Sequence, residues 1–364
     1  MGDGNMRERI SSVVKTLKPY FDSLLREDDD TGHLYLQDDE LGGRASCCTQ
    51  GEVACFHILD WTLNGGSGRE TAARLIEDVA RRQLPQGAFA QPYYVKKGAE
   101  GTIDIAEIGA VADSLYHVFR ATGSEAARES LAKAADYLLT QVAAENPGAV
   151  YKNPSAKGHD VLNGDMYAAH TWGRAWELTG RDEYLRRAEA VFEHLADRFG
   201  KHSPGWWPYT ENWDGSVGMG NSVAYQGTIV GFAHTVVPLL PDALRERWGK
   251  VARDAVDTML EAMERGPDDE NEAPWWCRDW GNAWEIYLAF SRFPDHPAAR
   301  ARLDERLRDI EEQLRTDGLA VFRPRVKTDD PERTPVTTTF RKAATFAGIV
   351  SYMVLDDLVP PVRP

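Results

Sequence analysis

The feature that most constrains this chain is a spacing. Six times, a polar helical tail runs into a glycine-bearing turn and then an aromatic or apolar residue. F-D-S-L-L-R-E-D-D-D-T-G-H-L-Y is the first such stretch and E-H-L-A-D-R-F-G-K-H-S-P-G-W-W the fourth. The marker glycines are Gly32, Gly87, Gly148, Gly205, Gly266 and Gly318, separated by 55, 61, 57, 61 and 52 residues. A fixed long period is the mark of a repeat architecture. Six units fill the 364 residues, so the spacing predicts one domain over 1–364 with nothing left for a second.

Each unit holds two helices. The one before the turn is amphipathic, as in 125–143, with apolar residues at helical spacing and a charged opposite face. The one after the turn is richer in small and apolar residues, at 103–121, 163–179, 221–238, 280–292 and 337–356. A helix that is apolar all round is a buried one. Thr-Gly at 122–123 and 179–180 supplies C-terminal stops. Strand signals are few and short. Outer helices alternating with inner ones predict an all-α fold, an (α/α)6 barrel or toroid of six helical hairpins. The inner helices then start at one end, and residues at those starts converge on one cavity.

Charge and cysteine usage narrow the partners. A formal net charge of −15 disfavours nucleic acid and anionic membrane. No run approaches the roughly 18 apolar residues of a membrane span. The N-terminal stretch has no apolar signal-peptide core, which predicts a cytoplasmic protein. Cys47, Cys48, Cys55 and Cys277 form no C-x-x-C pair and no zinc spacing, so reduced thiols and no metal or cofactor are expected. A monomer or homodimer acting on a small molecule or oligosaccharide fits this balance.

Chemistry gathers at the inner helix starts. Residues 273–284 read A-P-W-W-C-R-D-W-G-N-A-W. Sugars present a flat apolar face that suits indole and hydroxyls that suit amides and carboxylates. The expected contacts are Trp207, Asn221, Tyr225, Trp276, Arg278, Asp279, Trp280, Asn282, Arg341 and His170. Arg278 and Arg341 have the fork geometry for a substrate carboxylate. Asp104, Glu107, Asp160 and Asp165 are the candidate catalytic carboxylates. Asp104 equally suits an N-cap. Asp165 sits inside a helical run, where Asp is unfavourable without a reason. Two carboxylates held close perturb each other and leave one protonated near neutrality. Asp104, Glu107 and Asp160 all remain open as the partner of Asp165. His170 reads as a buried, hydrogen-bonded histidine as readily as a ligand. Cys47 and Cys48 read as packing residues.

The run W-W-C-R-D-W-G-N-A-W, with F-P-D-H-P and E-E-Q-L-R-T-D-G-L after it, resembles the unsaturated uronyl hydrolases. These are (α/α)6 glycosidases with a Trp-x-Arg-Gly-Asn-Gly-Trp run, a Pro-x-Asp-His-Pro turn and a Gln-x-x-Asp-Gly-x-Trp tail. N-G-D-M-Y-A-A-H-T-W-G-R-A-W-E-L-T-G-R-D-E-Y-L is similar to the segment carrying that family's catalytic Asp. About a third of the chain takes part. Asp279-Trp280 stands where the family has Gly-Asn, and Asp165 is one position out of frame with the following Tyr. The resemblance implies hydration of the C4=C5 double bond of an unsaturated uronic acid. Asp165 would be the acid/base, Asp104 its partner, and Arg278 or Arg341 the seat of the sugar carboxylate. Trp276 and Trp207 would stack on sugar rings, with no metal required. R-Q-L-P-Q-G-A-F also resembles the repeat tail of alkene-protonating terpene cyclases, which makes a terpene or other natural-product cyclase the alternative. A helical-repeat binding scaffold is the third reading.

Overall fold

The computed structural model describes residues 3–93, 102–265, 283–324 and 336–358. The helices are α1 (Asp3–Ser23), α2 (Cys47–Asn64), α3 (Gly68–Arg81), α4 (Ile105–Thr122), α5 (Glu125–Leu139) and α6 (Leu162–Thr179). They continue as α7 (Asp182–Arg198), α8 (Val223–Ala233), α9 (Asp242–Arg265), α10 (Trp284–Ser291), α11 (Pro297–Asp317) and α12 (Thr339–Leu358). The strands are β1 (Leu25–Glu27), β2 (Leu34–Asp38), β3 (Gly43–Arg44), β4 (His159–Val161), β5 (Pro208–Asn212) and β6 (Val217–Asn221). They form two antiparallel sheets, β1-β2-β3 and β4-β5-β6. Among the described residues no helix is long and apolar enough to cross a membrane.

Local chemistry sets the ends. The Ser46 hydroxyl accepts from Thr49 N at 3.0 Å ahead of α2, and Ser222 accepts from Tyr225 N at 3.3 Å ahead of α8. α4 and α6 stop at Gly123 and Gly180, both left-handed at φ 74° and 66°, as Thr-Gly predicts. Two helices are shorter than expected. α8 ends at Ala233, and the rest of 221–238 tightens into a 3-10 turn over Val237–Leu239, where Pro238 can donate no N–H. α5 ends at Leu139 because Ala143 N and Tyr151 N cross to Ala149 O and Gln141 O, so the backbone is spent in a short antiparallel turn.

The chain forms two compact units, Met1–Lys133 with Asp304–Pro360, and Ala134–Leu303. In the first, α2 is buried along most of its length and packs on α3, α4 and α12. α3 is amphipathic, turning Ala72, Leu75, Ile76 and Val79 inward. In the second, α6 packs on α7 and α8, and α8 on α9 and α10. α8 approaches α10 closely because Gly227 has no side chain. A methyl there would lie 2.8 Å from Ile286 Cα. Phe192 and Trp248 meet edge to face at 4.5 Å in the core of this unit. Burying such side chains contributes roughly 1.5–3 kcal/mol each.

Candidate functional site

In the first unit the carboxylate of interest is Glu107, in the first turn of α4. It is 2% exposed. Its Oε1 accepts from Cys48 N at 2.8 Å and its Oε2 from Gln91 Nε2 at 2.6 Å. Burial pushes its carboxyl up to about 7, against the pull of the Cys48 N–H and the Arg341 and Arg82 cations. Both donors favour the charged form, so Glu107 is held where either protonation state is reachable near neutrality.

A cation is fixed beside it. Arg341, in the first turn of α12, donates Nη1 to Val336 O at 2.8 Å and lies 4.7 Å from the Tyr93 ring centroid. Its N–H bonds Thr338 Oγ1 at 2.9 Å. Thr338 and the Tyr93 hydroxyl in turn both donate to the buried Asp38, at 2.7 and 2.8 Å. Arg341 is half-buried, so part of its guanidinium is left for a ligand. Cys48 and Thr345 are half-buried on the same set of inner helices. The Thr345 hydroxyl donates to Glu52 Oε2 at 3.3 Å, and burial together with Glu52 and Glu107 holds the Cys48 thiol well above its ordinary value. That favours the protonated thiol over the nucleophilic thiolate.

Asp104 takes the bland alternative. It is the N-cap of α4, accepting from Ala106 N at 2.9 Å. Burial, not Asp104, is the main cause of the Glu107 shift.

In the second unit Asp165 lies in the first turn of α6, fully buried. Its Oδ1 accepts from Val150 N at 2.7 Å. The carboxylate beside it is Asp160, on β4, whose Oδ2 meets His194 Nε2 at 2.8 Å. His194 Nε2 is 3.6 Å from Asp165 Oδ2. Burial first, and then Asp160, raise the Asp165 carboxyl well above the ordinary carboxylate range. Of the partners left open by sequence, Asp160 is the one in contact. Asp104 and Glu107 belong to the other unit.

The remaining candidates divide. Trp207 is a correction. It is 2% exposed, its indole N–H donates to Leu195 O at 2.7 Å, and it stacks on Trp248 at 5.9 Å. No face is left for a sugar. His170 is buried, bonded to Thr235 Oγ1 at 3.0 Å and edge-on to Phe232 at 5.1 Å, the packing alternative again. Asn221 is buried and donates to Ser203 Oγ at 3.3 Å. Tyr225 is half-buried and stacks on Tyr209 at 4.2 Å, with Lys152 Nζ donating to the Tyr209 hydroxyl at 3.0 Å. Trp276, Arg278, Asp279, Trp280 and Asn282 lie outside the described residues. Reasoning from sequence missed Gln91, Asp38 and His194, none of which stands at an inner helix start.

Among the described residues, two groups bring the ligand types of a metal site together, Asp160–Asp165–His194 and Asp113–His117–Asp356, each with its ligand atoms within 4.8 Å of one another. The second is knit by His117 Nε2 to Asp356 Oδ1 at 3.2 Å, with the imidazole stacked on Tyr352.

No family model and no curated protein matches this sequence. Solved structures do match over nearly the whole chain. A sugar epimerase from a ruminal bacterium is 12% identical with a TM-score of 0.63, covering 95% of this chain and 98% of its own. The unsaturated glucuronyl hydrolase from Streptococcus agalactiae is 11% identical with a TM-score of 0.61, covering 97% and 93%. Cellobiose 2-epimerase from Spirochaeta thermophila is 12% identical with a TM-score of 0.63, covering 97% and 98%. The chain thus has the all-α, (α/α)6 toroid fold that these enzymes share, and its structural neighbours include the hydrolases whose motifs its sequence resembles.

Proposed function

We propose that this protein is a carbohydrate-active enzyme, a glycoside hydrolase that hydrates an unsaturated uronic-acid sugar within one toroid domain over 1–364. The observation that carries the reading is Glu107, a buried carboxyl brought to about 7 on the same unit as the half-buried Arg341. Glu107 takes the acid/base role expected of Asp165, because it shares its unit with the half-buried Arg341, while Asp165 lies in the other unit. Arg341 seats the sugar carboxylate. Glu107 in its acid form gives its proton to C4 of the C4=C5 bond. The resulting carboxylate takes a proton from the water that adds at C5. The hemiketal so formed opens and releases the rest of the chain. No cofactor enters this scheme. Hydrolase neighbours support the reaction class, and the resemblance around 275–318 supports the substrate.

The test is the ultraviolet absorbance of the conjugated alkene, followed on a panel of unsaturated disaccharides. Wild-type protein is expected to bleach it and Glu107→Gln to lose that activity by about a hundredfold or more, the usual scale of acid/base catalysis. No bleaching across the panel by wild type removes the hydration reaction. Isomer formation from neutral disaccharides, read by chromatography, then decides for epimerisation. Bleaching by Glu107→Gln at the wild-type rate removes Glu107 instead.

A further inference from the structure

Three inner helices carry the same device. Gln50, Asp165 and Gln226 each stand four residues past the N-caps of α2, α6 and α8, which are Ser46, Val161 and Ser222. In each case the side-chain oxygen accepts a backbone N–H from the segment after the turn. Leu36 N reaches Gln50 at 3.1 Å, Val150 N reaches Asp165 at 2.7 Å, and Trp207 N reaches Gln226 at 3.3 Å. The other end of each glutamine donates to the outer helix of its own hairpin. Gln50 Nε2 bonds Leu75 O at 2.9 Å and Asp78 Oδ2 at 3.0 Å, and Gln226 Nε2 bonds Ala255 O at 3.0 Å. Ala255 lies 29 residues beyond Gln226, and His194 lies 29 beyond Asp165. The device therefore needs one acceptor and one donor, and Asp165 as a carboxylate supplies no donor.

Two buried atoms mark the missing proton. Among the described residues, Asp165 Oδ2 and Asp160 Oδ1 have no hydrogen-bond partner. His194 cannot serve both carboxylates. Gly148 N donates to Asn146 Oδ1 at 2.9 Å, which turns Asn146 Nδ2 on to His194 Nδ1 at 3.1 Å. His194 Nδ1 is then the acceptor and Nε2–H the donor, and that one proton goes to Asp160 at 2.8 Å. A proton on Asp165 supplies the donor that the device lacks and gives both orphaned oxygens a partner.

We propose that Asp165 is a positioning residue, a neutral carboxyl that donates to Asp160 and, through the Asp160–His194 bond, ties the turn before α6 to α7, as Gln50 and Gln226 do directly in their own hairpins. The same three residues have the donor set of a divalent-cation site. A cation on His194 Nε2 would need the proton moved to Nδ1, where the Asn146 amide already donates. The surroundings keep the proton in place. β4 presents Asp160 and α7 presents His194. Glu211 of β5, opposite Asp160 in the sheet, is engaged by Arg198, Lys201 and His202. α8 contributes no Asp, Glu, Lys, Arg or His.

The experiment is thermal unfolding of the full chain from mildly acidic to alkaline pH, with amide exchange at Val150 as the local readout. Asp165→Asn keeps the acceptor and carries a permanent donor. It is expected to match wild type at the acid end, to lose less stability as pH rises, and to keep Val150 protected throughout. Asp165→Ala is expected to be less stable at every pH, with Val150 exchange at least tenfold faster. Three results would overturn the proposal: an Asp165→Asn variant as weak as Asp165→Ala, one with the wild-type pH dependence, or a wild-type melting temperature that falls with EDTA and returns with Zn2+.

Discussion

Glu107 makes a claim on stability as well as on catalysis, and it can be measured without any substrate. Its carboxyl is raised from 4.5 to about 7, mainly by burial. In the unfolded chain it titrates near the lower value. Below that value the group is protonated in both states, and its contribution is fully present. Between the two values the folded state holds the extra proton, so stability falls as pH rises, by about 1.4 kcal/mol per pH unit. Above the folded value the loss is complete, and the shift corresponds to about 3 kcal/mol. Glu107→Gln removes this dependence. The glutamine still accepts from Cys48 N, but its NH2 points at Gln91 Nε2, and Gln91 Oε1 is already held by Tyr93 N at 3.3 Å. The mismatch costs about 1–3 kcal/mol at every pH. Urea unfolding of both proteins, followed by Trp fluorescence and far-ultraviolet circular dichroism, reads the difference. The variant is expected to be clearly weaker at about pH 5 and to close most of that gap by about pH 8. A gap that stays constant or widens over this range refutes the reasoning, because Glu107 would then be ionised throughout.

The other predictions separate packing from chemistry. Arg341→Met should raise KM for a uronate substrate by about tenfold to a hundredfold, the worth of a charged hydrogen bond, with little change for a neutral sugar. Equal losses on both would remove the carboxylate seat. Asp104→Ala should cost about 1 kcal/mol in denaturant midpoint as a lost cap, and Asp104→Asn should restore it. An inactive Asp104→Asn of normal stability would return Asp104 to the reaction. Trp207→Ala should cost about 3–5 kcal/mol as a core truncation and leave KM unchanged in the fraction that folds. A raised KM in a stable protein would mean that the indole meets substrate after all.

Periodic features were the legible part of this chain. The two Thr-Gly stops, the apolar inner helices and their starting points follow from one-dimensional rules, because a cap or a helical face depends on neighbours within a few residues. The end of α5 shifted through longer contacts, where Ala143 and Tyr151 pair across the turn after it. The site was less legible for a related reason. Sequence places Trp207 beside a glycine turn, where an indole looks available. Only the fold reveals that Leu195 O takes its N–H and Trp248 its face. Asp165 was singled out because Asp is unfavourable inside a helix without a reason. The structure puts it in the first turn of α6, where an acid is tolerated, and two roles stay open to it. A carboxyl that meets solvent can exchange its proton with a substrate. One that is sealed against Val150 N, Asp160 and His194 can keep its proton as a fixed donor. Gln50 and Gln226, each four residues past the N-cap of an inner helix, are the sequence signal that favours the second role. Two amides at equivalent positions indicate that the third position needs a donor and an acceptor, and an aspartate meets that need when it is uncharged.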